Sequence, residues 1–290
     1  MQKKFPDDPN EFNELMLRID SQLSAEGIKI FRRPSYARRT ISKEFGITFV
    51  LPFESKEQQR IGDWYKLQYG DRLKINPIPG RMAFLINNDV WVFRFPIIGG
   101  TFQIVAANII RTSQIDPREK LPILNVLDSI EHLPEGLCLS LTDKQLEDIR
   151  GYFILGYEAL LFGLNFFRKD VLISSARADI DVSINHMVNP NPEYGLSKWS
   201  SLQASERILK TLIERLGEKY PNTHVLSKLV KIIQEKGIEL EIDNLIGKIQ
   251  CNAAIRYGQE PCTLLDAIDA HHAVFKVAMQ VIKELQRLKQ

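Results

Sequence analysis

The sequence predicts an α+β fold in two domains. Two turn-forming segments, Asn87-Asn88-Asp89 and Gly99-Gly100, join three short runs rich in β-branched and aromatic residues, which predicts a small antiparallel sheet. Elsewhere, apolar residues recur every three or four positions, as in helices. We therefore expect a mixed domain over residues 1–168 and a helical domain over residues 171–290. The three predicted strands are residues 82–86, 90–95 and 101–106.

Composition places the chain among ordinary globular proteins. Its 290 residues are enough for two domains, and 44% apolar with 26% charged residues is close to globular averages. A net charge of +2 gives no global electrostatic case for nucleic acid. No apolar run is long enough to span a bilayer and no secretion signal is evident, so we expect a cytoplasmic protein without membrane contact.

The cysteines give no sign of a metal site or a disulfide framework. Cys138, Cys251 and Cys262 are far apart in sequence, without a C-x-x-C spacing or a nearby histidine pair. We expect reduced thiols, no metal and no cofactor.

Further elements of the first domain follow from periodicity and capping signals. Residues 9–25 place apolar side chains on one helix face, and a strand is predicted over 46–53. Helices are predicted over 117–130 and 143–167, the second beginning at a Thr142 capping box. The sheet has too few strands for a doubly wound nucleotide-binding fold.

A basic segment after the first helix is a candidate site for an anionic ligand. Four arginines within eight residues surround one aromatic residue, an arrangement that suits nucleotide phosphates or single-stranded nucleic acid. The alternative is a solvated loop with no ligand. The candidate residues are Arg32, Arg33, Tyr36, Arg38 and Arg39.

The second domain is predicted to consist of five helices separated by proline and glycine breaks. An apolar stripe runs along the last helix and is a candidate dimer interface. The predicted helices are residues 172–187, 196–217, 224–236, 240–256 and 263–288.

Three motifs in this helical region occur in a characteristic order. The second helix contains Ala204-Ser205-Glu206 followed by Lys210, a Pro-x-x-His turn leads to His224, and Arg256-Tyr257 precedes the last helix. With this order and spacing, residues 171–288 resemble the HEPN family of prokaryotic helical domains. The resemblance implies a five-helix up-and-down bundle that forms a homodimer and binds a nucleotide or RNA, in a bacterial or archaeal protein of the defence, stress or toxin–antitoxin type.

Each motif residue also has a purely structural interpretation. Glu206 and Lys210 are spaced for an ion pair along one helix, although the resemblance implies that they line a ligand or dimer surface. His224 is placed either to fix a helix start or to line a ligand cleft. Arg256, beside Tyr257, is suited either to capping helix carbonyls or to contacting phosphate.

The expected chemistry is binding rather than catalysis. The resemblance implies that ribonucleases of the family place an arginine and a histidine four to six residues apart, whereas His271 and His272 follow Arg256 by fifteen and sixteen positions. The alternative is a divergent, metal-independent endoribonuclease that uses Arg256 with His271 or His272. A third hypothesis is a non-catalytic scaffold or antitoxin-like partner. The apolar stripe of the last helix favours an interior position for at least one of these histidines.

Overall fold

A computed structural model describes residues 4–47, 55–73, 80–96, 102–109 and 123–288. The chain forms two compact units, Met1–Pro77 and Ile78–Gln290. The described part of the chain is mostly helical with two small sheets, which agrees with the predicted α+β class. The predicted boundary at residues 168–171 lies inside the second unit. One continuous apolar core joins residues on both sides of that point, among them Phe167 and Ile173.

The described residues of the first unit form three α-helices around a small core of their own. They are α1 (Pro9–Ala25), α2 (Arg33–Phe45) and α3 (Lys56–Tyr69). The predicted first helix is confirmed, and it begins where the Asp8 side chain accepts two backbone N–H groups. The core includes Phe12, Met16, Ile19, Ile41, Ile61 and Tyr65.

The basic segment is helical from Arg33 onward, so the alternative of a solvated loop is wrong about its backbone. It folds into α2 because Ala37 and Ile41 provide an apolar face for the core, and Gly46 ends the helix in the left-handed conformation (φ 68°). The strand predicted over 46–53 is absent at residues 46 and 47, and its remaining positions lie outside the described residues.

The second unit opens with the predicted β-hairpin. Strands β1 (Arg81–Ile86) and β2 (Asp89–Arg94) pair antiparallel. They are joined through Asn87 and Asn88 with φ values of 52° and 67°, the backbone that a two-residue type I′ turn requires.

The third strand does not extend this hairpin, so the predicted three-stranded meander is wrong. Strand β3 (Gln103–Val105) pairs in parallel with β4 (Ile123–Asn125). The buried Asn125 side chain holds this pairing, because it bonds both the N–H and the C=O of Ala107. The helix predicted over 117–130 is also wrong where it is described, since β4 continues into a 3-10 turn, Val126–Ser129.

The long helix predicted over 143–167 is regular only in its first part. After the short helix α4 (Glu135–Ser140), α5 (Asp143–Tyr157) begins at the predicted Thr142 capping box and continues as a π-helical segment, Glu158–Leu164. Its i→i−5 geometry is seen where Asn165 N donates to Leu160 O at 2.9 Å.

Five α-helices complete the chain, close to the predicted positions. The fourth differs, because it ends at residue 249 and a separate 3-10 turn follows, started by Asn252, whose side chain accepts from Ala254 N. None of the described helices has the length and hydropathy needed to cross a bilayer. The helices are α6 (Val171–Val188), α7 (Tyr194–Arg215), α8 (Leu226–Gln234), α9 (Asp243–Ile249) and α10 (Leu264–Arg287), and the turn is Ala253–Tyr257.

Helix α10 packs its apolar stripe inside the second unit, mainly against α7 and α9. Phe275 and Ala278 are fully buried and Leu285 is nearly so. The stripe predicted as a dimer interface is therefore occupied by contacts within the chain.

Candidate functional site

Helix α7 carries an aromatic and polar face that is the basis of the candidate site. Trp199, Gln203, Glu206 and Lys210 follow one another at spacings of four, three and four residues, which places them on one side of a helix. The helix also buries Leu202, Ile208, Leu209 and Leu212 in the core of the second unit, which anchors this face.

The Glu206 carboxylate is shared between two cationic or polar partners. Lys210 Nζ lies 2.5 Å from Oε1, and His224 Nδ1 lies 2.7 Å from Oε2. Glu206 and Lys210 are each only 7% exposed. Lys210 Nζ also lies 4.8 Å from the centre of the Tyr220 ring. The predicted ion pair along the helix is present, and it forms part of a larger buried group.

His224 lies at the open end of this group, with its side chain 54% exposed. Gln250 fixes its backbone: the amide nitrogen donates to His224 O at 3.2 Å, and the amide oxygen accepts from Leu226 N at 2.9 Å. The Gln250 side chain thus caps α8. The His224 ring meets the Trp199 ring edge-on at 5.4 Å. Because the carboxylate of Glu206 only accepts, the short contact places a proton on Nδ1.

Arg256 and Tyr257 reach the same face through the 3-10 turn. The turn lies against the start of α7 at Gly195, where an added Cβ would collide with the Ile255 carbonyl oxygen. The Arg256 guanidinium carbon lies 5.0 Å from the centre of the Trp199 ring and 5.8 Å from that of Tyr257. Arg256 is exposed, and among the described side chains no carboxylate lies within ion-pair distance of it.

All five motif residues predicted from the sequence therefore belong to one chain of contacts, which we call the α7 cluster. It runs from Tyr257 through Arg256, Trp199 and His224 to Glu206 and Lys210. Sequence reasoning missed Trp199, Gln203, Tyr220 and Gln250. The regular spacing of Trp199 and Gln203 before Glu206 was a usable signal, whereas Tyr220 and Gln250 arrive through folding alone.

The charge distribution of the α7 cluster differs between its inner and outer parts. In the buried part Glu206 offsets the charge of Lys210, while no carboxylate of the described residues pairs with the outer Arg256. No activated thiol lies nearby, because burial raises the pKa of Cys251 to about 11 and also raises that of Cys262. The arrangement suits the binding of an anion beside the partly buried ring of Trp199 and the exposed ring of Tyr257.

His271 and His272 belong to a separate, buried network. Ala83 N in β1 donates to His271 Nε2 at 3.1 Å, so the ring proton is on Nδ1, which lies 3.2 Å from Ser183 Oγ. His272 Nε2 donates to Ala83 O at 2.9 Å. Burial lowers the pKa of His271 well below its usual value and that of His272 to about 4. Both rings therefore connect β1 to α10, which agrees with the interior position predicted for at least one of these histidines.

This network gives no geometric support to the alternative hypothesis, a ribonuclease that uses Arg256 with His271 or His272. His271 is completely buried and uses both ring nitrogens within the protein, whereas Arg256 stacks on Trp199.

The basic segment of the first unit contains arginines with different roles. Arg33 bonds the backbone of Ile28 and forms an ion pair with Asp20 at 3.2 Å, so it holds the unit together. Arg38 is partly buried. Arg32 and Arg39 are exposed, and Arg39 stacks on Tyr36 at 5.6 Å.

Within the described part of the chain, no three histidine, cysteine, aspartate or glutamate side chains are grouped to hold a metal ion. Comparisons with protein-family models, curated proteins and solved structures find no match to this chain.

Proposed function

We propose that residues 171–288 form a HEPN-like module that binds a nucleotide or single-stranded RNA at the α7 cluster. The observation that carries the proposal is the exposed Arg256 guanidinium held between the rings of Trp199 and Tyr257, with His224 beside it. The order of the motifs in the sequence supports the same assignment.

Each part of the α7 cluster has a role in this proposal. Arg256 contacts a phosphate, because a planar guanidinium matches two phosphate oxygens. Tyr257, 70% exposed, offers a ring on which a base stacks. The exposed ring nitrogen of His224, Nε2, accepts a hydrogen bond from a ligand hydroxyl or amino group, and Glu206 fixes the orientation of the ring. No catalytic step is included, since the only other candidate histidines are engaged in the interior.

The biological setting remains part of the proposal and rests on the family resemblance. It includes a defence or stress role in a bacterium or archaeon and a homodimer. The apolar stripe of α10 adds nothing to the homodimer, because it is buried within the second unit.

Calorimetric titration of the full-length protein with ATP and with a short oligouridylate tests the binding. Arg256→Ala is expected to weaken the affinity at least tenfold, since a charge-assisted contact to phosphate is lost. Lys228→Ala is the control, because it removes an exposed charge from α8 outside the α7 cluster. Wild-type protein that binds neither probe, or equal losses in both variants, would refute the proposal.

A further inference from the structure

Helix α2 of the first unit, together with Arg32 at the end of the 3-10 turn directly before it, carries a basic stripe that the α7 cluster does not include. Arg32, Tyr36, Arg39 and Lys43 follow at spacings of four, three and four residues. At 100° per residue Tyr36, Arg39 and Lys43 fall within about 60° of arc on one side of α2, and Arg32 precedes the helix as its N-cap. Arg32, Arg39 and Lys43 are exposed, and Tyr36 is partly exposed. We call these four residues the α2 stripe.

The other side of α2 explains why the stripe faces outward. Ala37 and Ile41 are fully buried in the core of the first unit, on the opposite side of the helix. Arg33 is fixed by Asp20, and α2 begins and ends at defined positions. The side that carries the α2 stripe is thus fixed by folding.

The described residues supply no carboxylate partner to the cations of the α2 stripe. For Arg32, Arg39 and Lys43, no carboxylate of the described chain lies within ion-pair distance. The nearby Glu44 is bound instead by Arg18 at 2.7 Å. These like charges repel one another, most directly Arg39 and Lys43, which lie one helical turn apart, and a polyanion would relieve that repulsion.

We propose that the α2 stripe binds the phosphodiester backbone of single-stranded RNA, as a second site that is independent of the α7 cluster. Tyr36, with Arg39 stacked on it at 5.6 Å, supplies a ring and a guanidinium plane for an unpaired base. An anionic membrane is the weaker match. Membrane-bound helices insert an apolar face, and the apolar face of α2 is occupied by the core of the unit.

The decisive experiment measures the anisotropy of a fluorescein-labelled oligouridylate over a range of salt concentrations with full-length protein. Arg39→Ala/Lys43→Ala should lower the slope of log K against log salt by about 1.4, since each contact to a single strand contributes roughly 0.7. Tyr36→Leu should weaken binding about tenfold, because stacking on a base is lost.

The control variant, Lys56→Ala/Lys66→Ala, removes the same charge from exposed positions on α3 and should leave the slope unchanged. The measurement is repeated in the Arg256→Ala background, where a persisting effect separates the α2 stripe from the α7 cluster. An equal change in the control, an unchanged slope in Arg39→Ala/Lys43→Ala, or an unchanged affinity in Tyr36→Leu would overturn the proposal. Binding to phosphatidylserine vesicles without binding to RNA would overturn it as well.

Discussion

Glu206 is the residue that joins the buried and exposed parts of the α7 cluster, because its carboxylate is shared by Lys210 and His224. A buried charge is tolerated only when it is paired, so removal of one partner costs more than removal of an exposed pair. The free energy of unfolding of single and double variants at Glu206 and Lys210 can therefore show whether the two charges are buried as a pair.

Replacement of Glu206 by alanine should lower the free energy of unfolding by about 3 kcal/mol, because Lys210 is left buried and unpaired. Glu206→Met/Lys210→Met should cost less than the single change, since no buried charge remains. Urea denaturation followed by circular dichroism measures both. The control is Lys236→Ala, which breaks a half-exposed pair with Glu218 and should cost about 1 kcal/mol or less. Equal losses in Glu206→Ala and the control would contradict the buried pair.

His272 gives the fold a dependence on pH. Its pKa is about 4 in the folded chain, against 6.5 for an ordinary histidine. Between these values the unfolded chain binds a proton that the folded chain does not, so the free energy of unfolding falls as the pH decreases from 6.5 to 4. By pH 4 the titration of His272 has lowered the free energy of unfolding by about 3 kcal/mol.

His272→Gln should flatten this pH dependence, because glutamine can still donate to Ala83 O and does not titrate in this range. Urea denaturation at pH 7, 5.5 and 4.5 measures the effect. A variant that loses as much stability on acidification as the wild type would show that the histidine is not held neutral by the fold.

At the scale of elements, the contact between α7 and the 3-10 turn Ala253–Tyr257 determines whether Arg256 reaches Trp199. Only glycine fits at position 195, because a Cβ there would collide with the Ile255 carbonyl oxygen. The turn is short and carries a single buried residue, Ile255, so it has little packing of its own to resist displacement.

Gly195→Ala should therefore displace the turn and weaken nucleotide or oligouridylate binding, with a smaller effect on overall stability. Calorimetry and thermal denaturation measure the two effects. Gly247→Ala is the matched control: it lies in α9 with no atom within 4 Å of the added Cβ, so it should leave affinity unchanged. Full affinity in Gly195→Ala would argue against a role for the turn.

Structural elements that depend on residues close together in the sequence were predicted well. The Asn87-Asn88 turn and the capping box at Thr142 depend on residues within a few positions, and both are confirmed. The partner of β3 was not predictable, because Asn125 holds it from 18 positions away along the chain. The helical form of the basic segment was missed because its two buried residues, Ala37 and Ile41, give a weak periodic signal.

At the scale of the whole molecule, the motif residues predicted one by one lie in a single chain of contacts, whereas the predicted domain boundary differs from the observed division at residue 77. The hairpin β1–β2 shares a core with α5, α6 and α10, and the two buried histidines bond β1 directly. A sequence pattern shows which faces are apolar. It does not show which distant element covers them, so Tyr220 and Gln250 entered the site only through the structure.

The fluorescence of Trp199 tests most directly whether the α7 cluster binds a nucleotide or single-stranded RNA, as proposed. The chain has three tryptophans, so Trp64→Phe/Trp91→Phe leaves Trp199 as the only one, with circular dichroism to check that the variant folds. We predict that ATP or an oligouridylate changes this fluorescence saturably, and that Arg256→Ala in the same background abolishes the change. Fluorescence that does not respond to either probe, or a response that Arg256→Ala leaves intact, would contradict the account.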